Sequence, residues 1–161
     1  MIKIGVLSDT HIPSKARALP PVLFEAFAGV AMILHAGDLA CAEVLTELES
    51  LAPVYAVRGN VDPPELFSRL PLVRTVEAGG AVIGMIHGDG RAGTAEERAL
   101  RAFPHADCVV FGHTHVPVCE RRGSVLIFNP GSPTDRRREP KHSFGILTVR
   151  SGRVEGEIIR F

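Results

Sequence analysis

Apolar positions along this chain follow two rhythms. In the first third, "IKIGVLS" (2–8), "VAMILHA" (30–36) and "PVYAVRG" (53–59) are short, β-branched and nearly continuous in apolar residues. Runs of that kind predict strands covered on both faces. Between them, "PPVLFEAF" (20–27) opens on proline and clusters its apolar residues, which predicts a short helix. "CAEVLTELESL" (41–51) sets Val44, Leu45, Leu48 and Leu51 on one helical face. Strands alternating with helices imply parallel strands joined by crossovers. Beyond residue 70 the rhythm changes. "LVRTVEAGGAVIGMIHG" (72–88) reads as two strands turning at Gly79-Gly80, a hairpin signal. "TAEERALRAF" (94–103) reads as a helix with Thr94 and Glu97 placed as a capping box. "DCVVFGH" (107–113) is a further strand, "VPVCERRGSVLIFN" (116–129) a hairpin turning near Gly123, and residues 144–161 a closing hairpin turning at Ser151-Gly152. The expectation is a single α/β domain over residues 1–161, parallel in its first half and hairpin-rich in its second. The stretch "NPGSPTDRRREPKH" (129–142) predicts a long surface loop, of a length often tied to function or mobility.

Composition narrows the partners. Hydrophobic residues make up 45% of the 161 positions and charged residues 22%, the balance of a folded soluble domain rather than a disordered chain. Lys+Arg and Asp+Glu are equal at 18 each, which argues against a stable nucleic-acid partner but leaves room for a small nucleotide-like substrate. No apolar run approaches the roughly 20 residues that span a bilayer, and "MIKIGVLSDTH" lacks the layout of a signal peptide. Cys41, Cys108 and Cys119 are odd in number and form no CxxC, so they read as reduced thiols of a cytoplasmic protein.

Chemistry-bearing residues recur where apolar strands end. "SDTH" supplies Asp9 and His11, "AGDL" Asp38, "GNVD" Asn60 and Asp62, "IHGDG" His87 and Asp89, and "FGHTH" His113 and His115. In open α/β sheets the ligand crevice lies at the carboxyl ends of the strands, so these side chains can converge. Asp9, Asp38 and Asn60 offer oxygen; His11, His87, His113 and His115 offer nitrogen. This mixed set without thiolate suits Mn, Fe, Co, Ni or Zn better than calcium or a structural zinc. Seven ligands exceed one tetrahedral ion and suit two ions sharing a carboxylate, about 3.5–4 Å apart, as in centres for attack at phosphorus. Each residue also has a plainer reading: Asp38 as a helix cap, Asn60 as a left-handed turn, His113 and His115 as surface histidines. The recurrence at five strand ends favours the metal. His35, inside an apolar strand, reads as a hydrogen-bonded core residue, and His105 as solvated.

The ordered set D-x-H, G-D, G-N-x-D, H-G and G-H-T-H resembles the calcineurin-like metallophosphoesterase superfamily. The short chain, the early "SDTH" and the "NPGS" at 129–132 resemble its small bacterial and archaeal phosphodiesterase (YfcE-like) branch. The resemblance implies an α/β/β/α sandwich of two mixed β-sheets. It implies that Asp9, His11 and His115 hold one divalent ion, that Asn60, His87 and His113 hold a second, and that Asp38 bridges them. Mn2+ is the leading expectation, with Ni2+, Co2+, Fe2+ or Zn2+ as alternatives. Asp38, Asn60 and His87 are the expected catalytic residues of a phosphodiesterase in which a metal-held hydroxide attacks phosphorus, and Asp62 is expected to orient the loop.

Two positions depart from the wider family pattern. Val61 stands where many phosphomonoesterases carry a histidine that can protonate the leaving oxygen; the small phosphodiesterase branch also lacks it. Asp89 stands where a histidine is frequent, and a carboxylate there would repel a phosphate unless turned away or paired. The run Arg136, Arg137, Arg138, Lys141 and His142 reads first as a solvated charge run, with phosphate contact as the alternative. Rival functions are a phosphomonoesterase, a nuclease, and a protein-binding scaffold like the retromer coat subunit that shares the fold with an incomplete ligand set. The apolar C-terminal hairpins could serve a homo-oligomer, though an ordinary core is the first expectation.

Overall fold

In the computed structural model, which describes residues 1–161, ten strands form two five-stranded sheets. The first third folds as its apolar rhythm predicts. β1 (Ile2–Leu7), β2 (Met32–His35) and β3 (Val54–Ala56) run parallel, linked by α1 (Pro21–Ala26) and α2 (Glu43–Glu49). A short helix absent from the sequence reading, α3 (Pro64–Phe67), follows β3. Its signal was Pro63-Pro64: proline presets the backbone of a first helical turn and gives up only an amide that would have no partner there.

β4 (Val73–Ala78) and β5 (Ala81–Ile86) form the hairpin expected at Gly79-Gly80. α4 (Ala95–Ala102) starts at Thr94 with the expected capping box: the Thr94 side chain accepts from the Glu97 amide at 3.1 Å, and Glu97 reaches back to the Thr94 amide at 3.0 Å. β6 (Cys108–Val110), β7 (Val118–Arg122) and β8 (Val125–Asn129) complete the second sheet in the order β4-β5-β6-β8-β7. This half is hairpin-rich as expected, and it also carries parallel pairing that the hairpin signals did not announce. β5, β6 and β8 are parallel to one another, so the carboxyl end of β8 emerges beside those of β5 and β6. The closing hairpin, β9 (Ser143–Arg150) and β10 (Arg153–Arg160), returns to the first sheet. β9 pairs antiparallel with β1, giving the order β10-β9-β1-β2-β3.

The sandwich is layered as α/β/β/α. Alternate residues of each strand point to opposite faces. Ile4, Val6, Leu34, Ile83, Val110 and Phe128 therefore meet between the sheets. Leu7, Ile33 and Phe144 face outward beneath Leu23, Phe27, Leu45 and Leu48 of the first helical layer. Val109, Phe111 and Ile127 lie beneath Ala95 and Ala99 of α4. Each fully buried Leu, Ile or Phe contributes about 1.5–3 kcal/mol by leaving water. No helix is long and apolar enough to cross a membrane. The two sheets hold six parallel-type strand ends (β1, β2, β3, β5, β6 and β8) against one another, and the functional residues stand on the loops that leave them.

Candidate metal centre

Backbone bonds between the strand-end loops set the frame. The Asp9 amide donates to Gly37 O at 2.9 Å, the His11 amide to Asp38 O at 3.1 Å, and the Gly112 amide to His87 O at 3.0 Å. The loops also adopt an unusual backbone. Asp9, His11, Asp38, His113 and His115 all have φ between 45° and 70°. This left-handed conformation costs an L-residue roughly 1–2 kcal/mol. Two glycines admit the close approach. A Cβ at Gly59 would lie 2.0 Å from Asp38 Oδ1, and one at Gly112 would lie 2.7 Å from Asp9 Oδ2.

Each carboxylate keeps one oxygen for the protein and turns the other into the centre. Asp9 Oδ2 accepts from Ser8 Oγ at 2.7 Å and from the His113 amide at 3.0 Å. Its Oδ1 lies 3.4 Å from His115 Nε2 and 3.8 Å from both His11 Nε2 and His87 Nε2. Asp38 Oδ1 accepts from the Val61 amide at 3.0 Å, while Oδ2 lies 3.1 Å from His87 Nε2 and 3.6 Å from His11 Nε2. Position 61 thus orients Asp38 through its backbone, while the Val61 side chain stands exposed.

The histidines are aimed in the same way. His87 Nδ1 lies 2.8 Å from Ala36 O and His115 Nδ1 lies 2.5 Å from Asp135 O, so in each ring Nδ1–H donates to a carbonyl and Nε2 faces the centre. His11 and His115 stack at 5.1 Å, and His87 meets His113 edge-on at 5.2 Å. The rings therefore pair as the two expected ligand groups divide them. Asn60 is exposed, with Oδ1 3.1 Å from His87 Nε2, and His113 is half-buried.

Asp9 Oδ1, His11 Nε2 and His115 Nε2 are buried polar atoms without a hydrogen-bond partner. Leaving such atoms unpaired is costly, so convergent orphans point to a missing ligand. Two groups, Asp9-His11-His115 and Asp9-Asp38-His87, each bring their ligand atoms within 4.8 Å of one another. One anionic oxygen facing several imidazole nitrogens fits a divalent cation. The chain belongs to the calcineurin-like phosphoesterase superfamily. Its sequence matches that superfamily's domain over residues 2–152. It is 42% identical to a probable metallophosphoesterase of Methanothermobacter thermautotrophicus, over 98% of this chain and 91% of that one. It is 30% identical to phosphodiesterase YfcE of Escherichia coli, over 91% and 88% of the two chains. Its fold superimposes on Vps29 of Chaetomium thermophilum with a TM-score of 0.83 and 21% identity, over 100% and 97% of the two chains.

The chain concentrates charge here, and the titration of the metal-free site reflects it. Burial would raise Asp9, but the imidazoles of His11, His115 and His87 hold it far below the usual carboxylate range. Burial opposes ionisation of Asp38 too, and His87 and the Val61 amide overcome it. His87, which burial would lower, is pushed up to about 9 by Asp38 and Asp9. His113 is lowered by burial and by the charge of His87.

The neighbouring residues settle several smaller expectations. Asp62 orients the loops as expected, accepting from the amides of Asp38, Gly59 and Ala40 at 2.8–3.0 Å. His35 is the expected buried, hydrogen-bonded residue: its Nδ1 accepts from the Gly37 amide at 3.2 Å and its Nε2 lies 3.1 Å from Thr10 Oγ1. Burial drives it down to about 3, so it is neutral at physiological pH. His105 is exposed, as expected, and so is Asp89. Four positioning groups were not foreseen. Ser132 Oγ donates to Asp9 O at 2.8 Å, Thr134 Oγ1 to Thr10 O at 2.6 Å, and Asn129 Nδ2 to Gly112 O at 3.1 Å, while the Asp135 carbonyl holds His115. All lie at or just past the carboxyl end of β8, whose parallel run to this edge a hairpin reading conceals.

Proposed function

We propose that the chain, as a single domain over residues 1–161, is a divalent-metal-dependent phosphodiesterase acting on small phosphodiesters through a dinuclear centre. The observation that carries this is the convergence of the buried, partnerless Asp9 Oδ1, His11 Nε2 and His115 Nε2 beside Asp38 and His87. Asp9, His11 and His115 would hold one ion, Asn60, His87 and His113 the other, and Asp38 both. Mn2+ is the metal proposed, since the set offers nitrogen and carboxylate oxygen without thiolate. When bound, the ions would supply Lewis-acid activation of a water and neutralise charge on the phosphoryl oxygens.

The chain's own residues do the rest. The Val61 amide and Gly59 fix Asp38 so that Oδ2 stays turned into the centre. The Ala36 and Asp135 carbonyls hold His87 and His115 in the tautomer that leaves Nε2 as an acceptor. Asn60, exposed at the rim with its Oδ1 beside His87, stands where a substrate phosphoryl group would enter. The side chain at 61 has no proton to give a leaving oxygen. Leaving groups of low pKa are therefore favoured, and alkyl monoesters are poor substrates. The three thiols are free, as a reducing cytoplasm would keep them.

The test is Mn2+-dependent hydrolysis of bis-p-nitrophenyl phosphate beside p-nitrophenyl phosphate. Diester turnover that exceeds monoester turnover is the expected result. A second reading follows from the fold shared with Vps29: a protein-binding scaffold. Bound metal without turnover of either ester would favour it.

A further inference from the structure

The arginine run after "NPGS" is exposed, as its composition suggests, but its backbone is anchored on both sides. On its N-terminal side, Ser132 Oγ accepts from the amides of Thr134 and Asp135 at 3.3 and 2.8 Å while donating to Asp9 O. Thr134 Oγ1 donates to Thr10 O, and the Asp135 carbonyl holds His115. The run then folds on itself: the Glu139 amide donates to Arg136 O at 2.9 Å, and Arg136 Nη1 donates to Glu139 O at 2.6 Å. On its C-terminal side, His142 and Phe161 exchange backbone bonds at 3.0 and 3.1 Å. The Ser132, Thr134 and Asp135 anchors reach Asp9, Thr10 and His115 at the metal centre.

The anchored run walls a cleft of about 380 Å³, lined by Thr114, Val116, Arg136, Arg137, Arg138 and Glu139. Thr114 lies between His113 and His115, so the cleft and the metal centre share a wall. Three guanidinium groups against one carboxylate leave this wall cationic. Arg suits bidentate contact with phosphate oxygens, and its planar face stacks on bases. Exposed Val116 adds an apolar surface.

We propose that this cleft binds a second phosphate of the substrate, so that the enzyme prefers small, nucleoside-sized phosphodiesters carrying a phosphomonoester on the group next to the scissile bond. The inference rests on the phosphodiesterase reading for the first phosphate, which sits at the metals, while the second sits against Arg136–Arg138. A diester with one phosphate leaves the guanidinium groups to water.

Adenosine 3′,5′-bisphosphate and adenosine 5′-monophosphate are suitable probes, because they share one phosphate and differ by the second. Their dissociation constants would be measured by calorimetry on the Mn2+-loaded protein, and on the R136Q/R137Q/R138Q variant with its fold checked by thermal melting. The wild type is expected to bind the bisphosphate about ten-fold or more tighter than the monophosphate, and the variant to lose that ratio. Equal affinities in the wild type, or an undiminished ratio in the variant, would overturn the proposal. Binding needs no turnover, so a retained ratio loss in a protein inactive on bis-p-nitrophenyl phosphate would reject the enzyme reading and leave the anion subsite standing.

Discussion

The two ends of the sandwich use the same left-handed backbone and fill it with different residues. At the end away from the metal centre, the hairpins turn through Gly79, Gly80, Gly123 and Gly152, with Ser151 the only residue there that carries a side chain. At the metal end, Asp9, His11, Asp38, His113 and His115 adopt similar φ angles. Glycine takes this conformation without steric cost. At these five positions the metal end forgoes that advantage, though Gly37, Gly88 and Gly131 use it nearby, because a glycine has no carboxylate or imidazole to present. Strain of this kind persists where the surroundings over-determine it, here through the loop-to-loop bonds and the Asp62 carboxylate that binds three amides. One end of the molecule is built for stability and the other for pointing side chains inward.

The sharpest break of this contrast is the removal of Asp38. Asp38→Ala is expected to lower Mn2+-dependent hydrolysis of bis-p-nitrophenyl phosphate by about 10²–10³-fold or more, measured by initial rates. Next comes a variant that trades pointing for ease. His113→Gly removes a half-buried candidate ligand while relieving a φ of 70°. The diesterase rate should fall by about 10–100-fold while the Tm of the metal-free protein rises by about 1–3 °C. A lower Tm would mean that the loop is not strained there.

A pH series sharpens the electrostatic side. His87 is pushed up to about 9 in the folded, metal-free protein, above its ordinary 6.5. Its pairing with Asp38 and Asp9 therefore stabilises fully below pH 6.5 and is lost as pH rises through about 9. Chelator-treated protein should lose several degrees of Tm between about pH 7 and 10, and His87→Gln should flatten that slope. At the far end, Gly123→Ala places a side chain at φ 59° with open space around it. It should cost about 1 kcal/mol, seen as a Tm lowered by about 2–4 °C, with the diesterase rate unaltered. The smallest effect expected is at the rim: Val61→His supplies a proton donor and should raise monoester hydrolysis by a few-fold. No gain would remove the role given to that side chain.

The sequence carried most of the architecture because its signals were local. Continuous β-branched runs marked the buried strands, Gly79-Gly80 marked a turn, and Thr94 with Glu97 marked a helix start. The seven candidate ligands were legible because each stands just past an apolar run, and the fold gathers those ends. What escaped was non-local. A hairpin signal at Gly123 says that β7 and β8 are antiparallel, but not that β8 lies parallel to β6. Hence Asn129, Ser132, Thr134 and the Asp135 carbonyl gave no sign of reaching the metal centre. The carbonyl has no sequence signature at all. The arginine run looked loose because charge and proline content do not reveal the hydroxyls of Ser132 and Thr134 that pin it. α3 was hidden by its length of four residues.

β1 lies between β2 and β9, and Ser132 and Thr134 close over Asp9 and Thr10 from more than 120 residues downstream. During synthesis β1 leaves the ribosome long before β9, and waits. β2 and β3 can pair with it, but its other edge stays bare until residues 143–150 are made. Residues 9–11 gain their covering loop only when residues 132–135, more than 120 positions later, have been made. A nascent chain thus shows a half-paired, apolar β1 until β9 is made, an edge open to chaperones or to neighbouring chains. Slowing translation after residue 129 would lengthen that exposure, and the covering of Asp9 and Thr10 would be delayed with it.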